Sequence, residues 1–335
     1  MTGTAAPRVR SALARGNGAA IVHRLLAASQ PDYRLEELDP VIAALPPLYR
    51  HAVRPVLAQA TVAHLAADYG PAPLPRDCAR VVAFHNFYID DENLSASSFA
   101  QRLYYRTVMA PAVRRAVADA DRIVVVSRFL AGRVATLAPR MPVEVIYNGI
   151  DTVRFAPAGD AGRDRPLRVL FVGNPSRRKG FDLLAGIAAR LPAGAELAFT
   201  AGLRDERVQA GNRRLVPLGR VAYEAMHRLY QAADVLFFPT RREGFGLCVA
   251  EAMACGLPVV STRCSAIPEL VDEGRGGFLL PPGDIDGMVQ AISSLLADPA
   301  RRAAMGAHNR ERALRDFDVR RMAGDYAALF SDVVR

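Results

Sequence analysis

The sequence predicts an α/β protein of two domains, each built on a parallel sheet. Three observations carry that expectation. The chain has 335 residues, 51% of them apolar, enough to bury more than one core. Its second half alternates short β-rich runs with helical segments, the pattern of a parallel sheet covered on both faces. A stretch rich in Gly, Asp and Arg, 157–166, has the composition of a linker. The strands of the second half read as 167–172, 196–200, 234–238, 258–261 and 277–280, and its helices as 181–191, 222–233, 247–255, 267–273 and 285–297. In the first half, 80–84, 122–126 and 143–147 read as strands and 131–137 as a helix. Only 8–13 precedes Gly16, and it does not read as a clear apolar strand. The last segment, 301–335, reads as two charged helices, the final one with Met322, Tyr326, Leu329 and Phe330 on an apolar face. The resulting domains are 1–155 and 165–315, with a closing helix in 316–335 that packs back on the first.

Composition removes several function classes. A formal net charge of +9 suits nucleic acid, an anionic bilayer surface or phosphorylated substrates. Without zinc-finger spacing, an aromatic RNA-binding motif or a Lys-rich tail, nucleic acid is set aside as a partner. No run of about 18 uninterrupted apolar residues is present. Arg8, Arg10 and Arg15 are not followed by the apolar run of a secretory signal, so a cytoplasmic protein is expected. Cys78, Cys248, Cys255 and Cys264 lack a Cys-x-x-Cys pair and read as reduced thiols. The trio Asp90, Asp91 and Glu92 reads as a solvated loop, and no metal site is expected.

The most informative stretch runs from Glu243 through Gly244, Phe245, Gly246 and Leu247 to Glu251. A loop with two glycines leaves an apolar strand and opens a short helix closed by Gly256. Free amides at a helix N-terminus attract phosphate, and carboxylates on either side accept hydrogen bonds from hydroxyls, so a ligand carrying both phosphate and sugar fits. The strand ending at Val172 runs into Gly173, Asn174, Pro175, Ser176, Arg177, Arg178 and Lys179. In open α/β sheets ligands collect at the C-terminal ends of strands, where this basic loop either neutralises a diphosphate or forms a solvated turn. Gly219 and Val221 stand at a similar crossing. In the first half, His85 and Asn86 follow an apolar strand, and His85 either faces a ligand or caps the sheet edge. His64 reads as support for the sheet. Gly16 and Gly18 flank Asn17 before a helical run at 19–28, as a ligand loop or a plain turn.

In order along the chain, these segments resemble the glycosyl transferases group 1 family. The second half carries the resemblance in Phe171-Val-Gly173 with Lys179-Gly180, Gly219 before Val221, Ala233-Asp234-Val235 running to Pro239-Thr240, and Glu243-Gly-Phe-Gly-Leu with Glu251-Ala-Met-Ala-Cys-Gly-Leu-Pro-Val-Val. Pro268-Glu269-Leu-Val, Gly277-Phe-Leu and Pro282-Gly-Asp284 complete it. The first half adds Val124-Val-Val-Ser127 and Val145-Ile-Tyr-Asn148-Gly149-Ile-Asp151. The resemblance covers roughly 60–330. It implies the GT-B architecture, two Rossmann-like domains facing each other across a deep cleft, and transfer of a sugar, with retention, from a nucleotide-diphosphate sugar held mainly by the second domain. The acceptor, a sugar or a lipid-linked sugar, would be held mainly by the first, with Gly16, Gly18, Asn86 and Ser127 on its side.

The same resemblance assigns Glu251 to the ribose hydroxyls, Glu243 to the donor sugar, and the amides of Phe245, Gly246 and Leu247 to sugar and diphosphate. His85 would touch the donor sugar and the acceptor, and Lys179 the diphosphate. Gly173, Gly202, Gly219 and Val221 would line the nucleotide. The family's arginine partner to that lysine is Asn174 here, and Arg177 or Arg178 could supply the charge. No cofactor is implied. Beside an active transferase, the pattern leaves open a related phosphorylase or epimerase and a binding module without catalysis. Arg102, Arg106, Arg114 and Arg115, interleaved with Leu103, Tyr104, Tyr105, Val108 and Met109, read as a membrane-facing surface or as a buried helix with a solvated basic flank.

Overall fold

The computed structural model describes residues 6–69, 72–90, 93–94, 97–158, 165–201 and 214–334. Gly202, Asp91, Glu92 and most of the 157–166 stretch lie outside them. The chain divides into two compact units, one of 1–149 with 319–335 and one of 150–318.

The first unit holds six parallel strands: β1 (Val9–Ala14), β2 (Tyr33–Leu38), β3 (Val62–Ala66), β4 (Ala79–Phe84), β5 (Arg122–Val125) and β6 (Val143–Val145), in the order β2-β1-β3-β4-β5-β6. Its helices are α1 (Gly18–Ser29), α2 (Pro40–Ala44), α3 (Pro46–Leu57), α4 (Phe99–Tyr104), α5 (Ala110–Ala118) and α6 (Arg128–Ala135), with a π turn at Tyr105–Met109 joining α4 to α5. β3 is buried along its whole length, as a central parallel strand must be. The stretch 8–13 proves to be most of a full strand. β1 pairs with β2 over six residues, and its buried Ser11 is accommodated because its hydroxyl bonds the His23 ring at 2.9 Å. One internal hydrogen bond therefore replaces the apolar side chain that the sequence lacks. Asn17 caps α1 by accepting from the Ala20 amide at 2.8 Å.

The second unit has six more parallel strands: β7 (Leu167–Phe171), β8 (Ala195–Phe199), β9 (Leu215–Pro217), β10 (Val235–Phe238), β11 (Val259–Thr262) and β12 (Gly277–Leu280), ordered β12-β11-β10-β7-β8-β9. Its helices are α7 (Leu184–Ala189), α8 (Met226–Gln231), α9 (Leu247–Ala254), α10 (Ile267–Leu270), α11 (Ile285–Ala297) and α12 (Pro299–Asp316). The closing helix α13 (Val319–Val333) belongs to the first unit and buries Met322, Tyr326, Leu329 and Phe330. Several helices are shorter than the periodicity predicts. The 181–191 segment opens with a 3-10 turn at Phe181–Leu183, and 222–233 likewise at Tyr223–Ala225. α10 stops at Leu270, where Val271 turns extended. The 131–137 helix instead starts at Arg128, because the Ser127 hydroxyl accepts from the Leu130 amide and sets the N-terminus.

Candidate functional site

β7 and β10 are neighbours in the second sheet although two strands separate them in sequence, and the chain leaves them toward opposite edges. This is the switch point outside which open α/β sheets bind ligands. β7 delivers the basic loop 173–179 there, and β10 delivers the loop 239–246. Gly180 lets the two loops lie together. It adopts φ 75°, and a side chain there would put its Cβ 2.1 Å from the Pro239 carbonyl oxygen. The Arg241 amide donates to the Arg178 carbonyl at 2.8 Å, and the Thr240 hydroxyl donates to the same carbonyl at 3.1 Å.

Within this lacing, three groups converge on one carboxylate oxygen. Glu243 Oε1 lies 2.7 Å from Lys179 Nζ, 3.1 Å from Arg178 Nη1 and 3.3 Å from Thr240 Oγ1. Glu243 is 8% exposed. Burial pushes its carboxyl up, but the charges of Lys179 and Arg178 outweigh burial and hold it below the usual carboxylate range. Arg178, rather than Arg177, stands beside Lys179. Arg177 is exposed, and its carbonyl accepts from the Arg241 guanidinium. Asn174 is exposed at the start of the loop. The Lys179 ammonium also sits 4.8 Å from the Phe238 ring centre. The sequence carried a signal not used above: of the 43 lysines and arginines, Lys179 is the only lysine. A compact ammonium stands at the one crowded point where the chain forgoes its otherwise universal arginine.

Gly246, at φ 104°, turns the β10 loop into α9. Among the described residues the Leu247 and Cys248 amides have no partner, as expected for the first turn of a helix. Phe245 is buried edge-on to Phe317, with ring centres 5.6 Å apart. Glu251 follows Leu247 by one helical step of four, so the two share a face. Its carboxylate accepts from the Tyr230 hydroxyl at 2.6 Å, and burial pushes its pKa up to about 7. At the neighbouring strand end, the Gly173 amide donates to Thr200 Oγ1 at 3.1 Å. The Ala201 amide donates to the Gly219 carbonyl at 2.9 Å, and Val221 is half-buried.

In the first unit the order reverses at β1 and β3, so the corresponding crevice lies at their C-terminal ends. Gly16, with φ 79°, Asn17 and Gly18 follow β1 there. Tyr69, just beyond β3, has its hydroxyl accept from the Ala14 amide at 3.2 Å and from Asn17 Nδ2 at 3.3 Å. Asp68 beside it is pushed up to about 7 by burial. His85 follows β4, one strand away, and burial lowers its pKa to about 4, leaving a neutral imidazole. Asn86 turns its amide to the Tyr88 hydroxyl at 3.0 Å and accepts from the Phe87 amide. Ser127 is fully buried as the α6 cap. His64 sits inside β3, fully buried. The sequence reading missed Asp68, Tyr69 and the buried His23, because none belongs to a recognisable motif; only strand order brings them to the same sheet edge. Among the described residues there is no group of three His, Cys, Asp or Glu placed to hold a metal, and no helix long and apolar enough to cross a membrane.

Comparison with known proteins now decides the family. Residues 166–298 match the model of "Glycosyl transferases group 1", and residues 6–154 match that of "Glycosyltransferase Family 4". The chain belongs to the group 1 glycosyl transferases. Its fold is that family's GT-B architecture. Among curated relatives of this glycosyl transferase, the GDP-mannose-dependent alpha-(1-6)-phosphatidylinositol monomannoside mannosyltransferase of Mycolicibacterium smegmatis is 33% identical over 251 residues, covering 67% of this chain and 65% of the relative. The D-inositol 3-phosphate glycosyltransferase of Saccharomonospora viridis is 32% identical over 230 residues, 59% of this chain and 53% of the relative. The matches thus span less than two thirds of those relatives. Among solved structures, sucrose-phosphate synthase of Thermosynechococcus elongatus superposes with a TM-score of 0.79 at 20% identity, over 97% of this chain and 99% of the other. HepE of Anabaena, in complex with UDP-glucose, gives 0.74 at 19% identity, over 96% and 100%.

The Glu251 carboxyl makes a testable link between site and stability. Its pKa rises from 4.5 in the unfolded chain to about 7 in the fold, so the folded state binds the proton more tightly and stability falls as pH rises through that window. Above it the buried charge costs roughly 3 kcal/mol at most, from about 1.4 kcal/mol per pKa unit. Glu251→Gln still accepts from Tyr230 but cannot ionise. Thermal melts of the ligand-free protein should show the variant a few °C above the wild type at pH 8 and level with it at pH 4.5; parallel melting curves across that range would contradict the assignment.

Proposed function

We propose that this chain is a retaining glycosyltransferase that moves a sugar from a nucleotide-diphosphate sugar to a sugar or lipid-linked acceptor in cell-envelope polysaccharide, lipopolysaccharide or glycolipid synthesis. The observation that carries the reading is the convergence of Lys179 and Arg178 on Glu243 at the β7/β10 switch point, beside the open amides of Leu247 and Cys248. Two cations and two amides form a diphosphate cradle. Glu251 lies further along the same helix face, placed for ribose hydroxyls, and Glu243 for the sugar. Family membership and the sugar donors in the relatives' names support the same reading.

In the proposed reaction the bond between the anomeric carbon and the diphosphate oxygen breaks while the acceptor oxygen bonds the same face of that carbon. The acceptor proton passes to the leaving diphosphate oxygen. Lys179 and Arg178 stabilise the charge that develops there, the differential stabilisation that lowers a barrier. With two side-chain cations at the leaving group, no divalent metal or other cofactor is required. His85 and Asn86, at the first sheet's C-terminal edge, would serve the acceptor side together with Gly16, Gly18 and Ser127. His85, neutral at working pH, acts there as a hydrogen-bonding group rather than a charge.

Lys179→Ala should lower kcat/KM by roughly a hundredfold or more, from the usual worth of one transition-state contact, in protein that stays folded at the assay temperature but melts lower because Glu243 loses one of its two cations. The product should keep the donor's anomeric configuration, and EDTA should leave turnover unchanged. An inverted anomer by NMR, or full turnover in Lys179→Ala, would overturn the mechanism. Donor breakdown that requires inorganic phosphate, or epimerisation without acceptor, would instead assign a phosphorylase or an epimerase.

The first unit also suggests how a lipid-linked acceptor is reached. Val41 (66% exposed), Leu45 and Leu48 stand out on α2 and α3 beside the exposed Arg50 and Arg54, and Phe99 (75% exposed) and Leu103 stand out near Arg106. Arg114 and Arg115 are exposed on α5, whereas Tyr104, Tyr105, Val108 and Met109 are partly covered. Apolar side chains ringed by arginines suit the anionic inner face of the cytoplasmic membrane. The chain should sediment with anionic vesicles at low salt, release at high salt, and lose binding in Phe99→Asp/Leu103→Asp. No pelleting with anionic vesicles at low salt would remove the membrane from the account.

A further inference from the structure

Behind His85 lies a closed chain of buried rings and hydroxyls. His23, on α1 and fully buried, places its Nε2 3.0 Å from His85 Nε2. Its Nδ1 is 2.9 Å from Ser11 Oγ and 2.7 Å from the Tyr33 hydroxyl. That hydroxyl in turn is 2.8 Å from Nδ1 of His64, whose ring stacks on His23 with centres 4.2 Å apart. The two ends of the chain, His64 Nε2 and His85 Nδ1, are buried without a partner. Elements α1, β1, β2, β3 and β4 each bring one member, so sheet order alone assembles the set.

Proton counting couples the rings. The contact between His23 and His85 joins two nitrogens of like type, so one must donate and the other accept. The Tyr33 hydroxyl sits between two Nδ1 atoms with one proton, so it donates to one and accepts from the other. Two orders satisfy both conditions. In one, His64 Nδ1–H donates to Tyr33, Tyr33 donates to His23 Nδ1, and His23 Nε2–H donates to His85 Nε2, leaving His85 with its proton on Nδ1. The reverse order strands an N–H on His64 Nε2, in a fully enclosed place against the Tyr326 and Phe330 rings. Orphaned buried N–H groups are rarer than unfilled acceptors. The first order places it on His85 Nδ1, which is buried as well, so what the geometry fixes is the coupling: His85 and His64 share one tautomer and His23 takes the opposite one.

We propose that His23, Tyr33 and His64 are positioning residues that lock His85, at the C-terminal edge of the first sheet, into a single tautomer and ring orientation, with His64 in the same tautomer and His23 in the opposite one. The role in transfer rests on the glycosyltransferase reading above; the tautomer does not. Ser11 fixes the His23 ring from the strand beside it. Burial keeps the imidazoles neutral, so the relay carries orientation rather than charge.

Nitrogen-15 histidine NMR on the full chain without substrate tests the relay first. His85 and His64 should show the same single tautomer, both protonated on Nδ1 or both on Nε2, and His23 the opposite one. A mixture of tautomers at His85, or His85 and His64 protonated on nitrogens of different type, would overturn the proposal. Tyr33→Phe cuts the relay without removing the ring. It should release His85 into a mixture of tautomers and lower kcat roughly tenfold or more, in line with other residues that orient a reacting group. Affinity for a nucleoside diphosphate, held by the second unit, should stay unchanged. Ser11→Ala, which keeps Tyr33 in place, should retain the wild-type tautomer and serves as the folding control. A Tyr33→Phe protein whose His85 keeps its single tautomer contradicts the relay. If the wild type transfers no sugar while His85, His23 and His64 show the coupled tautomers, the relay stands and the transferase reading fails.

Discussion

One carboxylate ties together the two loops at the switch point of the second sheet, the proposed donor site. Glu243 Oε1 accepts from Lys179 and Arg178, with the Thr240 hydroxyl 3.3 Å away, and through the two cations it joins the end of β7 to the end of β10. A buried carboxylate without partners would be strongly unfavourable, so the two cations and the carboxylate specify one another's positions. Gly180 makes the contact sterically possible, since any side chain there would strike Pro239. The consequence is a pair of positive groups held ready beside a helix N-terminus before any ligand arrives. In the proposed reaction an arriving diphosphate would meet charges already in place, which is what electrostatic preorganisation requires.

The two units treat ionisable groups in opposite ways. The second keeps a charged carboxylate at its switch point and neutralises it with cations, while the neighbouring Glu251 is pushed up to about 7 by burial, which outweighs the hydrogen bond it accepts from Tyr230. The first buries three histidines and strips them of charge, leaving neutral rings that communicate through single protons. A site for anions and a site for hydroxyls are the natural uses of these two environments. Each arises from the same device, a parallel sheet whose order reverses at one point.

Much of the second unit was legible because its chemistry sits in contiguous segments. Glu243, Gly246 and Glu251 fall within one strand-loop-helix crossing, and Lys179 ends a single basic loop, so spacing alone suggested a phosphate-and-hydroxyl site. What spacing could not decide was Arg177 against Arg178. That depends on how Gly180 turns the backbone against Pro239 and Thr240, a contact between segments far apart in sequence. The first unit was harder to read for the same reason. β1 looked too polar to open a sheet because Ser11 is satisfied only by His23, and β2 was missed because Arg34, Glu36 and Glu37 interrupt its apolar pattern. His23, Tyr33, His64 and His85 come together through strand order, which no local pattern encodes.

The central claim is that Lys179 binds the donor's diphosphate. Because Lys179 is the chain's only lysine, protein labelled with carbon-13 and nitrogen-15 lysine has a single lysine side-chain signal to follow. Titration with a nucleoside diphosphate, monitored on that signal and on phosphorus-31, tests the claim most directly. The account predicts that the Lys179 ammonium signal and the β-phosphate signal shift together along one binding curve, with the matching nucleoside alone leaving the lysine unmoved. A nucleoside diphosphate that binds while the Lys179 signal stays where it was would contradict it.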